Sequence, residues 1–153
     1  MLVSKTTRIL CLARILCLAG GALCASPLLA AAQDAASEPA IVLELNGLEP
    51  SQKGCRFTFV AVSGLKTDIE RAAYEVALFG KDGLVQRLTV LDFKDLPAGK
   101  TKVRQFDLAD VDCGQVGRVL INAASACEGE DLGENACITE LKTETRGDVG
   151  FGL

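Results

Sequence analysis

From residue 41 onward, short apolar runs alternate with polar, turn-forming stretches. The clearest run is 55–63 (CRFTFVAVS), which sets Phe57, Phe59 and Ala61 on one face and Arg56, Thr58 and Val60 on the other. That two-residue period is the signature of a strand with one buried face. Similar runs at 41–48, 73–80, 84–93, 100–108, 118–126 and 136–143 bring the number of predicted strands to about seven. Glu49-Pro50 with Gly54, Lys81-Asp82-Gly83, Leu96-Pro97-Ala98-Gly99 and the loop 110–114 separate them. Such residues favour turns, glycine because it reaches positive φ freely and proline because its φ is fixed. One stretch reads both ways. Thr67 with Glu70 fits a helix capping box, and Ile69, Ala72, Ala73 and Val76 follow helical spacing. Tyr74, Val76 and Leu78 alternate as a strand and lead directly into the Lys-Asp-Gly turn, so residues 68–79 are read as mainly strand.

Seven short strands in about 110 residues predict an all-β fold, an immunoglobulin-like Greek-key β-sandwich. The tail 147–153, rich in glycine, is expected to fray or to add a short edge.

The N-terminus has a different pattern. Residues 1–14 carry Lys5, Arg8 and Arg14 and no acid, and residues 15–32 carry no charge and end in Ala30-Ala31-Ala32. A basic region, an apolar region and a small-residue end predict a Sec-type secretory signal peptide, cut after Ala32. Gly20, Gly21, Ser26 and Pro27 interrupt the apolar run, which argues against a retained membrane span. Leu23 directly precedes Cys24, which departs from a lipoprotein pattern, and no Arg-Arg pair marks a twin-arginine signal. Residues 33–40 read as a flexible leader and 41–146 as the folded domain. The expected location is periplasmic or secreted.

Cleavage changes the chemistry. Removing 1–32 takes away Lys5, Arg8 and Arg14 and no acid, so the net charge goes from −4 to −7. An acidic surface argues against nucleic acid as a partner. Of seven cysteines, Cys55, Cys113, Cys127 and Cys137 remain. An even number in an exported chain points to two disulfides. In the expected sandwich the second and sixth strands run parallel in opposite sheets, so Cys55 and Cys113 share one end. Cys127 and Cys137 flank the loop between the sixth and seventh strands. The pairs Cys55–Cys113 and Cys127–Cys137 join neighbouring ends, whereas the other two connectivities exceed the usual Cα separation of about 4.4–6.8 Å.

Two segments resemble FxLyD-type and related immunoglobulin-like modules of exported bacterial proteins. Residues 76–85 (VALFGKDGLV) are similar to their apolar strand, aromatic, short turn and second apolar strand. Residues 96–106, from Leu96-Pro97-Ala98-Gly99-Lys100 to Phe106, resemble the element that follows. The layout over 41–145, with Gly54-Cys55-Arg56 and with Cys113-Gly114 ahead of Gly117-Arg118-Val119-Leu120, is similar to small exported proteobacterial proteins of unassigned function. The resemblance implies a sandwich in an extracytoplasmic place and carries over no catalytic residue.

Candidate chemistry is sparse. The chain has no histidine, which excludes serine-histidine and cysteine-histidine catalysis and histidine-ligated metals. The cysteine spacings of 58, 14 and 10 lack the close pairs of a zinc or redox site. Glu128, Glu130, Asp131 and Glu134, with Asn135, could offer oxygen ligands to calcium, although their order does not match an EF-hand loop. A solvated acidic loop is the simpler expectation. Asp110 and Asp112 could serve a carboxylate hydrolase, but shaping the turn before Cys113 is the simpler expectation. Lys100, Lys102 and Arg104 could receive an acidic partner or guard an edge strand. Phe57, Phe59, Phe79, Phe93 and Phe106 are expected to form the core. The resulting expectation is a non-catalytic binding or structural module with no cofactor, meeting an unknown protein partner through a sheet edge or the acidic loop. A calcium-dependent module is the alternative.

Overall fold

The computed structural model describes residues 39–153. The expected signal peptide (1–32) and most of the leader (33–40) lie outside them. Eight strands form two four-stranded sheets: β1 (Ile41–Pro50), β2 (Gly54–Ser63), β3 (Ile69–Gly80), β4 (Val85–Leu96), β5 (Thr101–Ala109), β6 (Val116–Glu128), β7 (Leu141–Thr145) and β8 (Gly150–Gly152). One sheet has the order β5-β2-β1-β7 and the other β4-β3-β6-β8. The chain is therefore all-β, and the sandwich-like arrangement is the expected one.

Local sequence explains most of this. β2 alternates buried and half-buried residues along its whole length, and Phe57 and Phe59 are fully enclosed. The ambiguous stretch is strand: Ile69, Ala72, Tyr74, Val76 and Leu78 enter the core from β3. Pairing on both sides, with β4 and β6, decides it, because long-range packing overrides a weak helical spacing. Gly83, at φ +81°, closes the β3–β4 hairpin. Burial pushes the Tyr74 phenol above its usual range.

The structure resolves three expectations. First, residues 136–143 are not one strand. Ala136–Thr139 form a single helical turn, α1, that buries Ala136 and Cys137, and the strand begins only at Leu141. β7 does not make a hairpin with β6 but runs parallel to β1 in the opposite sheet, with Ile41 opposite Leu141. The chain must cross between sheets here, and α1 makes the crossing. Secondly, of the two outcomes expected for the tail it takes the short edge: β8 runs parallel to β6, and Phe151 packs edge-on to Phe59 at 5.5 Å. Thirdly, Phe79 leaves the core. It follows Leu78 on a strand whose even positions point inward, so its ring lies on the outer face, with the Arg118 guanidinium 5.6 Å from its centroid. At the other boundary, Ala40 is already buried and accepts a hydrogen bond from Gly64 N.

The disulfides are Cys55–Cys113 and Cys127–Cys137, with Cα separations of 5.1 and 5.8 Å. Both pairs are those the strand ends suggested, although Cys137 sits in α1 rather than in a hairpin. Two such bonds are compatible with a protein that folds outside the reducing cytosol.

One side of the sandwich is closed by charge at the C-terminal end of β4. β4 and β5 are the edges that meet there. From β5, Lys102 Nζ donates to Asp95 Oδ2 (2.9 Å), and Arg104 donates to Asp95 Oδ1 (3.0 Å) and to the backbone oxygens of Phe93 (2.6 Å) and Asp95 (3.1 Å). These two cations lock one sheet to the other instead of waiting for an acidic partner. The hydrogen bond from Lys102, aided by the nearby charges of Lys102 and Arg104, holds the Asp95 carboxyl below its ordinary 3.8. A depressed carboxyl stabilises the fold fully above its unfolded pKa and loses that contribution as pH falls through the lower folded value. Unfolding titrations at low salt should therefore show stability dropping below about pH 4, and Asp95→Asn should flatten that acid limb. An identical pH profile in the variant would show that Asp95 does not link the sheets.

Candidate functional site

The acidic loop does not assemble a cation site. Glu128, Glu130, Asp131 and Glu134 are all exposed, and Arg71 holds Glu128 at 3.3 Å. Among the described residues no three acidic or cysteine side chains come together as metal ligands. Asp131 and Asn135 take positive φ, so the backbone bends at both positions. Asp110 and Asp112 are turn formers: Asp110 sits at φ +60°, and Asp112 Oδ1 accepts from Gly114 N at 2.8 Å to cap a 3-10 turn at Cys113–Gln115.

Two surfaces stand out instead. The first is a groove of about 820 Å³ at one end of the sandwich. Its floor is apolar: Leu45 and Val116, both core residues, with Leu48, Phe79 and Val149. Its rim carries Lys81 and Arg118 on one side and Asp148 on the β7–β8 loop. Several local features hold it open and fixed. The β1–β2 register shifts between Leu45 and Gly47, which turns the end of β1 aside. Arg146 ties the β7–β8 loop down, its backbone N donating to Leu45 O (3.1 Å) and its Nε to Glu44 Oε1 (2.8 Å). The Arg146 hydrogen bond, with a second from Asn46, also holds the Glu44 carboxyl below its ordinary value. Thr145 Oγ1 donates to Val149 O at 3.0 Å inside the same loop. On the opposite wall Lys81 N donates to Gln115 O, and the hairpin backbone presses on Gly117 so closely that a Cβ there would lie 2.8 Å from Gly80 O.

The second surface is the edge strand β4. Leu88 and Val90 point away from the core and are 59% and 54% exposed, and Val85, at 55%, lies near the hairpin. Leu88 stands opposite Ala77, which stands opposite Leu120 on β6, so an apolar row crosses the outer face of the sheet. Glu75, opposite Val90, accepts a hydrogen bond from the Asn122 amide and bounds the row. At its far end β4 is irregular, with Lys94 at φ +61° and Lys94 Nζ on Asp92 Oδ2 at 2.8 Å. Its regular stretch, 87–91, carries the bare Leu88 and Val90. The other edge at this side, β5, exposes Val103 between Lys102 and Arg104.

Sequence reasoning singled out neither surface. The groove-lining glycines at 80, 83, 114, 117 and 147 stand in turns or at strand ends, with Gly47 at the β1 register shift, and mapping those positions onto the topology would have gathered them at one pole. The outward residues of 84–93 were visible as an apolar excess, but without strand order nothing marked that strand as an edge.

No family model matches the chain, and no curated protein matches it. Among solved structures, the Salmonella enterica trimeric lipoprotein SadB is similar at 20% identity with a TM-score of 0.40, over 46% of this chain and 40% of that one. The match thus spans less than half of either chain. No helix among the described residues is long and apolar enough to cross a membrane.

Proposed function

We propose that this chain is an exported, non-catalytic binding module that acts in the periplasm or outside the cell, and that its contact surface is the open edge of β4. The carrying observation is that half of a twelve-residue edge strand exposes Val85, Leu88 and Val90, while β5 leaves only Val103 bare. Proteins usually blunt such an edge with charge, proline or cover. An edge left bare suits a partner that adds a strand, with main-chain hydrogen bonds giving affinity and Leu88 and Val90 giving apolar contact. Export is supported by the basic, apolar and Ala30-Ala31-Ala32 pattern of the first 32 residues together with the two disulfides. The non-catalytic reading is supported by the absence of histidine from the sequence and by the use of Asp110 and Asp112 in the turn. The resemblance of residues 76–106 to FxLyD-type modules points the same way.

Affinity capture from periplasmic extract, with the protein exported through its own N-terminus, tests the reading. The wild type should retain a protein that Leu88→Lys with Val90→Lys releases and that Val103→Lys keeps. Failure to retain any partner at micromolar concentration, or equal retention by the β4 variant, would remove β4 as the contact surface. N-terminal sequencing of the exported form should begin at Gln33.

A further inference from the structure

We propose that the end groove is a binding site for an elongated apolar monoanion, of the class of long-chain carboxylates, with its head between Lys81 and Arg118 and its chain along Leu45, Leu48, Val116 and Val149. This site is separate from the β4 edge and does not depend on that reading. A volume of about 820 Å³ lies within the range of small-molecule sites, and the mix is typical of them: an apolar floor with a few polar groups at one end.

The charge at the mouth selects an anion. Lys81 opens the β3–β4 turn and Arg118 stands on the neighbouring β6, where Phe79 pairs with Arg118 and Gly80 with Val116. Neither takes part in an ion pair among the described residues, whereas Arg56, Arg71, Lys94, Lys102, Arg104 and Arg146 all do. Among the described residues Lys53, Lys66, Arg87, Lys100 and Lys142 are unpaired too, but Lys81 and Arg118 line this cleft against one acid, Asp148, which on a chain of net charge −4 is a local inversion of sign. The Phe79 ring, with its centroid 5.6 Å from the Arg118 guanidinium carbon, restrains that cation, which limits the ordering that binding has to impose. Asp148 across the groove repels a second negative group and so favours a single charged head with an uncharged tail.

The glycines add a second line. Gly117 is dictated by the fold, because any Cβ would strike the Gly80 and Lys81 backbone. Gly47 and Gly147 are not. Neither has a positive φ, and a Cβ at either would meet nothing within 4 Å. Packing does not ask for glycine at these positions, yet both line the groove and leave its mouth unobstructed.

The test uses the exported protein with both disulfides intact and cis-parinaric acid, a carboxylate that fluoresces in apolar surroundings. Saturable binding at one probe per chain, displaced by oleate and at least tenfold less well by the methyl ester, is the expected result. Lys81→Gln with Arg118→Gln should weaken binding at least tenfold without shifting the melting temperature. Gly47→Leu should block the groove while leaving the fold intact. Leu88→Lys with Val90→Lys should bind the probe as the wild type does. Loss of the signal in that β4 variant, or its survival in both groove variants, would place the probe elsewhere and overturn the proposal. Absence of saturable binding would overturn it as well. Phosphatidylglycerol vesicles separate the remaining source of apolar anions: binding to vesicles without binding of free oleate would replace this site with a membrane surface.

Discussion

Replacing Phe59 with alanine should cost about 3–5 kcal/mol of unfolding free energy, the largest loss expected from any single side chain here. The ring is fully buried on β2. It meets Phe93 of β4 at 5.3 Å, Phe106 of β5 at 5.9 Å and Phe151 of β8 at 5.5 Å, all edge-on. Phe93 continues the cluster to Tyr74 at 5.5 Å. The two sheets therefore close on this one ring, and each edge-on pair adds about 0.5–1.5 kcal/mol beyond simple burial. A small domain has only about 5–15 kcal/mol in total, so the variant should be close to unfolding at 37 °C. Chemical denaturation measures it, with Phe79→Ala as the comparison, since that ring lies on the outer face. Equal losses in the two variants would mean that Phe59 is not the centre of the core.

Loss of the Cys55–Cys113 bond should rank with it. In the chain-entropy account a bond closing 58 residues is worth about 4 kcal/mol, against about 3 kcal/mol for one closing 10. Cys55→Ala with Cys113→Ala should therefore destabilise more than Cys127→Ala with Cys137→Ala. The long bond has a further consequence. Cys113 lines the groove and fixes the 3-10 turn that feeds β6, so its loss should also loosen the wall carrying Lys81 and Arg118. The short bond instead secures α1 and the crossing to β7. Guanidinium unfolding of the two double variants, under non-reducing conditions, gives the order. A greater loss from the short bond would show that the crossing, not the closure of the long loop, limits stability.

The reading of residues 68–79 shows how far local pattern reaches. Thr67, Glu70 and the spacing of Ile69, Ala73 and Val76 suit a helix, and only the two flanking strands settle the matter. The acidic loop teaches the converse. Four carboxylates within seven positions invite a cation site, but all four stand exposed and no three of them come together.

What the chain alone determined is what depends on near neighbours: the existence of most strands, the inward face of β2, the turn at Gly83 and the two cysteine pairs. These follow from a two-residue period, from backbone sterics and from the short reach of a disulfide. What only the tertiary structure decided is who pairs with whom. A five-residue strand such as β7 satisfies its backbone equally well at several edges, and its place beside β1 is fixed by where Leu141 finds cover. β8 is three residues long and has no period to read, yet Phe151 draws it to the aromatic cluster. The groove and the bare β4 edge arise from those pairings. They belong to the order of strands, which is set by the sum of distant contacts and not by any single stretch of sequence.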